Sequence, residues 1–286
     1  MLYEECPAPP GLQPVVTGFW LVRAQPKARY EKILPGPSAH LVLNLSDPYR
    51  LIDPGSGAGD AAGTEVSTGF YSGLQRRFII SENPARISNI GAVFAPFGVS
   101  AFTEQLPSSL NGQVVDADRI FPGFSALRSE LLSGPEEPTP ESAFAALDSF
   151  LTARLRPGYR SDQRTAAAVG LLAGEDIPVA DLSTRLGVSN STLERIVMRD
   201  CGTTPKRFSD VCRFHRFINA AAALPPAAAA GRHLMALGDY YDQPHLVRTF
   251  RRFSGFTPTE YLTIVRKHGA QYATFVPVED VPVTGR

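Results

Sequence analysis

Hydrophobic and basic positions near the carboxyl end of the chain follow a helical pattern that occurs twice, 53 residues apart. In residues 193–208 and again in residues 246–261, leucine, arginine, glycine, threonine and proline stand at the same places. The apolar positions recur at spacings of three and four, which is typical of a helix with one buried face. Glycine commonly ends a helix, and Thr-Pro commonly starts the next one. Each copy therefore predicts a short basic helix, a stop and a second helix.

The residues upstream of each copy complete a larger unit. Residues 179–186 predict another short helix, and Gly187-Val188-Ser189 predicts a turn in which Ser189 caps the following helix. In the second copy, residues 232–238 and Asp242 take the corresponding places. Two helices joined by a short turn are the outline of a helix-turn-helix. Two such units in tandem predict a reader of a periodic polyanion, for which duplex DNA is the obvious candidate.

The segment between the two copies predicts one long helix. Thr204 is the expected N-cap, Pro205 the first helical residue, and Pro225-Pro226 the end. The helix then has about nineteen residues and a length of roughly 28 Å. Successive major-groove faces of B-DNA lie about 34 Å apart, so such a rod can hold two reading helices one turn apart. We expect its buried stripe to consist of Phe208, Val211, Cys212, His215, Ile218 and Ala222, with Cys212 and His215 packing in the core rather than ligating a metal.

Residues 240–262 resemble the C-terminal signature of AraC-type transcription regulators. The run Tyr240-Tyr241-Asp242-Gln243-Pro244 and the run Gly255-Phe256-Thr257-Pro258 carry the resemblance, which extends over roughly residues 160–266. It implies a DNA-binding domain in which one long helix joins two helix-turn-helix units. The sequence departs from the family at Asp239, where glycine is usual. Aspartate tolerates the left-handed conformation better than most residues, so we expect a strained but intact turn.

Helical geometry separates the side chains that face the core from those that can face DNA. The inward set consists of Leu193, Ile196, Val197, Leu246, Thr249 and Phe250. The candidate DNA-binding set consists of Ser189, Asn190, Ser191, Glu194, Arg195, Arg199, Asp242, Gln243, His245, Arg248 and Arg252. Arginine and glutamine suit bidentate pairing with base edges, whereas Arg199 and Arg252 lie one turn later, where side chains more often meet phosphates. The second helix carries Pro244 and Val247, which offer only methyl or shape contacts, so it should discriminate bases less sharply. A solvated charge is the alternative for each arginine.

Residues 1–128 have a different pattern, with short β-rich runs separated by proline and glycine. The strand candidates are residues 15–22, 40–45, 77–80 and 87–94, which together predict a small β-barrel or sandwich. Residues 41–48 and 92–98 resemble, more loosely, the N-terminal domain of one branch of AraC-type regulators. That resemblance implies a cupin-like barrel that senses something. The expected fold class is α+β, a small β-barrel followed by an all-α domain with two helix-turn-helix units.

A linker rich in proline follows the β-rich part, and an amphipathic helix at 141–156 comes next. The stripe of this helix consists of Phe144, Leu147, Leu151 and Leu155, and it either packs on the barrel or mediates dimerisation. We therefore expect a sensing domain at 1–128, a linker and helix at 129–158, a DNA-binding domain at 159–268 and a tail at 269–286.

Composition bears on the partners and the cellular location of the protein. The chain has 28 basic and 28 acidic residues, but residues 161–270 hold 14 and 10 of them, a balance of +4. A weakly basic reading domain implies modest nonspecific affinity for DNA. The three cysteines do not suggest a disulfide framework, which favours a reducing cytoplasm. No apolar run approaches the ~20 residues that span a bilayer, and the N-terminus lacks a signal-peptide core, so we expect no membrane.

The predicted function is a sequence-specific transcription regulator and not an enzyme, with double-stranded DNA as its partner. A small-molecule effector, RNA polymerase and a second copy of the chain are further candidate partners. The alternative is a cupin-like enzyme or ligand carrier fused to a DNA-binding module. Against that alternative, the N-terminal half has a single histidine, His40, and no glycine-rich phosphate loop. Because metal-binding cupins use two or three histidines, we expect His40 to be structural and expect no metal and no cofactor.

Overall fold

The computed structural model describes residues 1–53, 63–175, 177–224, 234–235, 237, 240 and 242–279. Strands dominate its first part and helices its second, which confirms the predicted α+β class. No helix in these ranges is long and apolar enough to cross a lipid bilayer. The predicted helix at 232–238 and the turn at Asp239 lie largely outside the described residues.

The strands form two antiparallel sheets. They are β1 (Leu2–Pro7), β2 (Val16–Ala24), β3 (Tyr30–Ile33), β4 (Ala39–Asn44), β5 (Tyr49–Ile52), β6 (Thr64–Val66), β7 (Gly69–Ser72), β8 (Ile79–Glu82), β9 (Ile87–Phe94), β10 (Val114–Asp116) and β11 (Phe275–Val278). One sheet has the order β1-β2-β9-β4-β7-β10 and the other β11-β3-β8-β5-β6.

The two sheets stay open and do not close into the expected barrel. A barrel needs a continuous ladder of strand pairs, and within the described residues no edge strand of one sheet pairs with a strand of the other. β10 and β6, at two of those edges, offer only three residues each for pairing. The N-terminal domain therefore has two separate sheets, as in the sandwich that the sequence pattern predicted as the alternative to a barrel.

The helices follow in the second part of the chain. They are α1 (Pro107–Leu110), α2 (Phe124–Leu131), α3 (Pro140–Thr152), α4 (Gln163–Gly174), α5 (Val179–Arg185), α6 (Asn190–Cys201), α7 (Pro205–Ala223), α8 (Gln243–Ser254) and α9 (Pro258–His268). Of these, α5 and α6 form the first helix-turn-helix unit, α7 is the predicted long connection, and α8 is the reading helix of the second unit.

Strand β4 lies at the centre of the N-terminal domain and is buried on both faces. Leu41 faces the helices and joins the largest core cluster together with Leu147 of α3. Val42, the next residue, faces the other sheet and packs in a small cluster with Tyr49 of β5. A strand covered on both sides has a continuous apolar run instead of alternating apolar and polar residues, which is the pattern of residues 40–45.

The stripe of α3 packs inside the chain. Leu147 and Leu151 are fully buried, and the Phe144 ring stacks on the ring of Phe19 in β2, with 6.3 Å between centroids. α3 contacts both β2 and β9. The first of the two interpretations of this stripe is therefore correct, and the stripe is not free to mediate dimerisation.

The long helix α7 has the predicted length of 19 residues and the predicted start. The Thr204 hydroxyl accepts a hydrogen bond from the Arg207 N–H at 3.2 Å. Its burial is wider than one stripe, because α7 lies between the two units. Phe208 and Cys212 belong to the core that includes the first unit, whereas Phe214 and Phe217 belong to the core of the second unit.

The hydrophobic core does not divide at the expected boundary near residue 158. Leu193 of the first unit lies in the same cluster as Leu41 of the N-terminal sheet. The second unit has a separate cluster around Phe250 and Tyr261, which Leu34 of the N-terminal domain joins. Within the expected tail, Phe275–Val278 form β11 and pair with β3, so the chain returns to the N-terminal domain after the second unit.

Candidate nucleic-acid interface

A tight turn joins α5 to α6 in the first unit. Gly187 has a φ of +64°, a left-handed conformation that favours glycine. Across the turn, the Val188 N–H donates to the Ser183 carbonyl at 3.0 Å. Ser189 caps α6, as its side-chain hydroxyl accepts a hydrogen bond from the Thr192 N–H at 3.2 Å. These contacts fix the direction in which α6 projects from the domain.

The two faces of α6 differ as the helical spacing predicts. Leu193, Ile196 and Val197 are fully buried against the core. The opposite face is exposed and carries Asn190, Ser191, Glu194, Arg195 and Arg199. The first unit therefore presents all its predicted reading side chains to solvent on one helix.

Helix α8 is the counterpart of α6, and its N-terminus is capped in the same way. The Asp242 carboxylate accepts a hydrogen bond from the His245 N–H at 2.6 Å. Leu246 and Phe250 are buried, whereas Thr249, predicted to face inward, is half-buried. The exposed side chains include Gln243, Arg248 and Arg252.

His245 lies at the flank of α8, half-buried. Its ring meets the Tyr240 ring edge-on at 5.7 Å between centroids, and its Nδ1 atom is buried without a hydrogen-bond partner among the described residues. A cleft of about 120 Å³ opens beside it, between α7 and α8. The cleft is lined by Lys206, Asp210, Arg213, Tyr240, His245, Thr249 and Arg252.

The arginines at equivalent places of the two reading helices share the same environment. Arg195 and Arg248 are exposed, and neither makes an ion pair or a side-chain hydrogen bond with any described residue. Both guanidinium groups are therefore available for the bidentate pairing with guanine that arginine favours.

The arginines one turn later are bound to carboxylates. Arg199 donates hydrogen bonds to both oxygens of Asp200, at 2.5 and 2.7 Å, and to Asp162 at 3.1 Å. The hydrogen bonds to Asp200 raise the pKa of Arg199 above its usual range. Partial burial alone would raise the pKa of Asp162, but hydrogen bonds from Arg164 and Arg199 lower it to about 2.

Arg252 has a similar but looser arrangement. Its guanidinium lies 3.7 Å from the Asp210 carboxylate of α7 and 4.5 Å from the centroid of the Phe253 ring. Lys206 lies 3.1 Å from the same carboxylate. In both units, the arginine expected to meet phosphate is thus paired with an aspartate.

Two exposed positions of the reading helices were not in the predicted set. Met198 and Arg251 are equivalent in the repeat and lie three residues beyond Arg195 and Arg248. Helical spacing places each on the face of its preceding arginine. The i+3 spacing could have placed both residues in the candidate interface from the sequence. Neither a methionine nor the first residue of an arginine pair is by itself typical of a base-reading position. Both extend the candidate interface toward the C-terminal ends of the helices.

Comparison with known proteins supports the geometry. Residues 182–264 match the family described as "Helix-turn-helix domain", and residues 4–116 match a "Domain of unknown function (DUF6597)". No curated protein matches the sequence.

Among solved structures, the chain is similar to ToxT from Vibrio cholerae O395, with 11% identity, a TM-score of 0.44, and coverage of 91% of this chain and 97% of that chain. It is also similar to unsaturated fatty acid bound ToxT from V. cholerae strain SCE256, with 10% identity, a TM-score of 0.45, and coverage of 91% and 96%. The AraC-like transcriptional activator CuxR has 15% identity, a TM-score of 0.24, and coverage of 76% and 77%.

The matched helix-turn-helix domain and the two capped, basic reading helices define the class of protein. The chain is a DNA-binding transcription regulator. Its helix-turn-helix domain spans residues 182–264, which include most of the stretch that resembles AraC-type regulators in sequence.

Proposed function

We propose that this regulator reads two adjacent major-groove segments, one with α6 and one with α8. The observation that carries the proposal is the equivalence of Arg195 and Arg248, which are exposed, unpaired with any described residue, and 53 residues apart in the repeat. Two identical guanidinium groups on two similarly capped helices suit two guanines one helical turn apart.

The two helices divide the work unequally in this proposal. Asn190, Ser191 and Glu194 surround Arg195 and give the first helix a set of hydrogen-bonding groups for base edges. In α8, Gln243 and Arg248 alternate with Pro244 and Val247, which offer only apolar contact. Ser189 and Asp242, whose side chains cap the helices, contribute by orienting the helix N-termini toward the DNA.

Arg199 and Arg252 contact phosphates in this proposal. Each must first leave its aspartate, because a guanidinium that is paired with a carboxylate offers fewer N–H groups to a phosphate. The aspartates therefore weaken the sequence-independent part of DNA binding, and a larger share of the affinity comes from base contacts.

The N-terminal two-sheet domain modulates the reading helices in this proposal, in response to a small effector, a second copy of the chain or RNA polymerase. What supports a regulatory role is its position, because it contacts the first unit through α1 and α6 and the second through β3 and β11. His40, the single histidine of residues 1–128, is a packing group in this proposal. Burial and the nearby charge of His215 lower the pKa of His40 to about 4, as expected of a neutral packing group.

Selection of binding sites by the full-length protein, followed by footprinting, tests the proposal. We expect two protected segments about one helical turn apart on one face of the duplex. Arg29→Ala serves as a matched control, because Arg29 lies next to β3 and pairs with Glu82, away from both reading helices. A protein that selects no sequence, or protects one segment only, would contradict the two-helix assignment.

A further inference from the structure

The C-terminal ends of α6 and α8 both abut the N-terminal domain, at equivalent places of the repeat. Cys201 and Ser254 are the last residues of the two helices and lie 53 positions apart. Asn111 donates from Nδ2 to the Cys201 carbonyl at 2.7 Å. Lys32 donates from Nζ to the Ser254 carbonyl at 3.3 Å. The last carbonyls of a helix lack intrahelical partners, so the N-terminal domain supplies donors that the helices lack.

The glycines that follow the two helices are contact points as well. Gly202 and Gly255 have φ angles of +65° and +70°, the left-handed conformation of a helix C-cap. A Cβ atom on Gly202 would overlap the backbone of Pro107 and Ser108, and one on Gly255 would overlap Phe78 and the Lys32 ammonium. At Gly202 the backbone of the N-terminal domain leaves no room for a Cβ atom, and at Gly255 the side chains of Phe78 and Lys32 lie against the glycine.

Lys32 is held firmly at the second contact point. Its side chain is 2% exposed, and its ammonium lies 4.2 Å from the centroid of Phe78 and 3.7 Å from that of Phe256. The positive charge meets the negative end of the α8 dipole, where cations are stabilised. Phe78 strengthens the contact, because its N–H donates to the Phe253 carbonyl at 2.9 Å.

Strand β11 fastens the same region from the other side. It leaves the second unit after α9 and pairs with β3, where Val276 stands opposite Lys32. The Leu34 N–H also donates to the Thr274 carbonyl at 2.9 Å. The strand that carries Lys32 is thus tied to the second unit through both its side chain and its backbone.

We propose that Asn111 and Lys32 are positioning residues that fix the spacing and relative rotation of the two reading helices on DNA. The inference rests on the proposed function, since it needs both helices to read DNA. Helix α7 connects the units but ends before residue 224, and a single rod does not by itself fix how each unit is turned about its ends. Two contacts from one domain, one on each reading helix, do fix that rotation.

The spacing between the two DNA segments gives the test. Inserting one base pair between them moves the second segment by about 3.4 Å and rotates it by about 34°. A selected site and its derivatives with one, two or three inserted base pairs are titrated with full-length protein. The variants are Asn111→Asp, Lys32→Met and the double variant, and Lys27→Met is the control, since it removes an exposed lysine outside the interface.

Each substitution is chosen to act on one interaction. Asn111→Asp keeps the acceptor that binds the Leu74 N–H at 3.2 Å, and it replaces the donor to Cys201 with an oxygen that the Cys201 carbonyl repels. Met at position 32 keeps an aliphatic chain between the two phenylalanine rings and removes the ammonium. If one variant does not fold, as judged by circular dichroism, the other carries the test at its own helix.

We expect the wild type and Lys27→Met to lose at least about tenfold in affinity for each inserted base pair. The variants should lose less than about threefold, while selecting the same bases within each segment. Folded variants that keep the wild-type spacing optimum would overturn the positioning role of Asn111 and Lys32 and show that α7 alone sets the spacing. A wild type without sequence preference would instead overturn the proposed function on which that positioning role depends.

Discussion

The Arg199 guanidinium lies 3.1 Å from the carboxylate of Asp162, a residue that belongs to neither helix of the first unit. Asp162 is the N-cap of α4 and accepts a hydrogen bond from the Arg164 N–H at 2.9 Å. The contact therefore joins the reading helix α6 to the start of α4, the helix that comes before the first unit. In the proposed complex, this aspartate competes with a DNA phosphate for the same guanidinium.

Replacing Asp162 with asparagine should strengthen DNA binding. Asparagine keeps the helix cap but removes one of the two carboxylates that hold Arg199, the other being Asp200. Arg199 is then held less tightly and meets a phosphate more readily. We expect tighter binding to every duplex and a salt dependence steeper by up to about one unit. Asp148→Asn on α3 removes the same charge away from the helix and should leave the slope unchanged. An unchanged slope in Asp162→Asn itself would show that Asp162 does not compete with a phosphate for Arg199.

The arginines of the reading helices should separate base reading from backbone holding. Arg195→Ala should cost roughly 1–3 kcal/mol on the selected site and relax selection at one or two base positions. Arg252→Ala should weaken all duplexes about equally and reduce the salt slope by about one unit. Arg248→Ala should relax selection less than Arg195→Ala does, because Pro244 and Val247 already limit what α8 reads. Site selection at two salt concentrations measures all three. If Arg195→Ala keeps the wild-type base preferences, as Arg252→Ala is expected to do, the assignment of α6 is wrong.

Glu31 should make stability fall as the pH rises. The residue is buried on β3 beneath β11, and burial raises its pKa from 4.5 to about 7, although a hydrogen bond from Asn83 opposes the shift. The pKa of Glu31 is higher in the folded than in the unfolded chain. Its contribution to the free energy of unfolding is therefore fully present below pH 4.5 and is lost as the pH rises through 7.

Glu31→Gln should remove this dependence. At pH 8 the variant should be more stable than the wild type by about 3 kcal/mol, since each unit of pKa difference corresponds to 1.36 kcal/mol. At pH 5 the two should be close. Urea unfolding at both pH values gives the comparison, with exposed Glu65→Gln as the control. If the free energies of unfolding of Glu31→Gln and the wild type differed by the same amount at both pH values, the predicted titration of Glu31 would be wrong.

Tyr261→Phe should destabilise the second unit without altering the bases selected. The Tyr261 hydroxyl is buried and donates to the Ala273 carbonyl at 2.9 Å and the Ile218 carbonyl at 3.3 Å. Its loss should cost about 1–2 kcal/mol. The ring should remain accommodated, because Phe208 occupies the equivalent place of the first unit. Thermal unfolding checks the cost, and an altered base preference would instead assign Tyr261 a role in orienting α8.

The helical part was predictable because its signals are local. Thr204 and Pro205 start α7, and Ser189 and Asp242 cap the reading helices through hydrogen bonds to residues three positions away. Of the strands, Ile87–Phe94 matches the expected range, and the other three candidates were found with shifts of one or two residues at their ends. These strands lie in short β-rich runs that are bounded by proline and glycine in the sequence.

The remaining elements depend on contacts that sequence does not show. β11 contains Pro277 in a run of four residues, and it becomes a strand only because β3 is unpaired on that side. Asp162 and Asp210, which pair with Arg199 and Arg252 from outside the reading helices, come from the N-cap of α4 and from α7. The contacts of Lys32 and Asn111 cross from one half of the chain to the other. Nothing in the local spacing of these residues indicates that they meet.

The return of the chain to β3 has a consequence for synthesis. The ribosome makes β3 early and makes β11 only after both reading helices have been made. Until then, Lys32 lies on a strand without its edge partner, and its contact with α8 cannot be supported from both sides. Both reading helices are therefore synthesised before β11, and the contact between Lys32 and α8 gains its support from β11 only at the end of the second unit's synthesis.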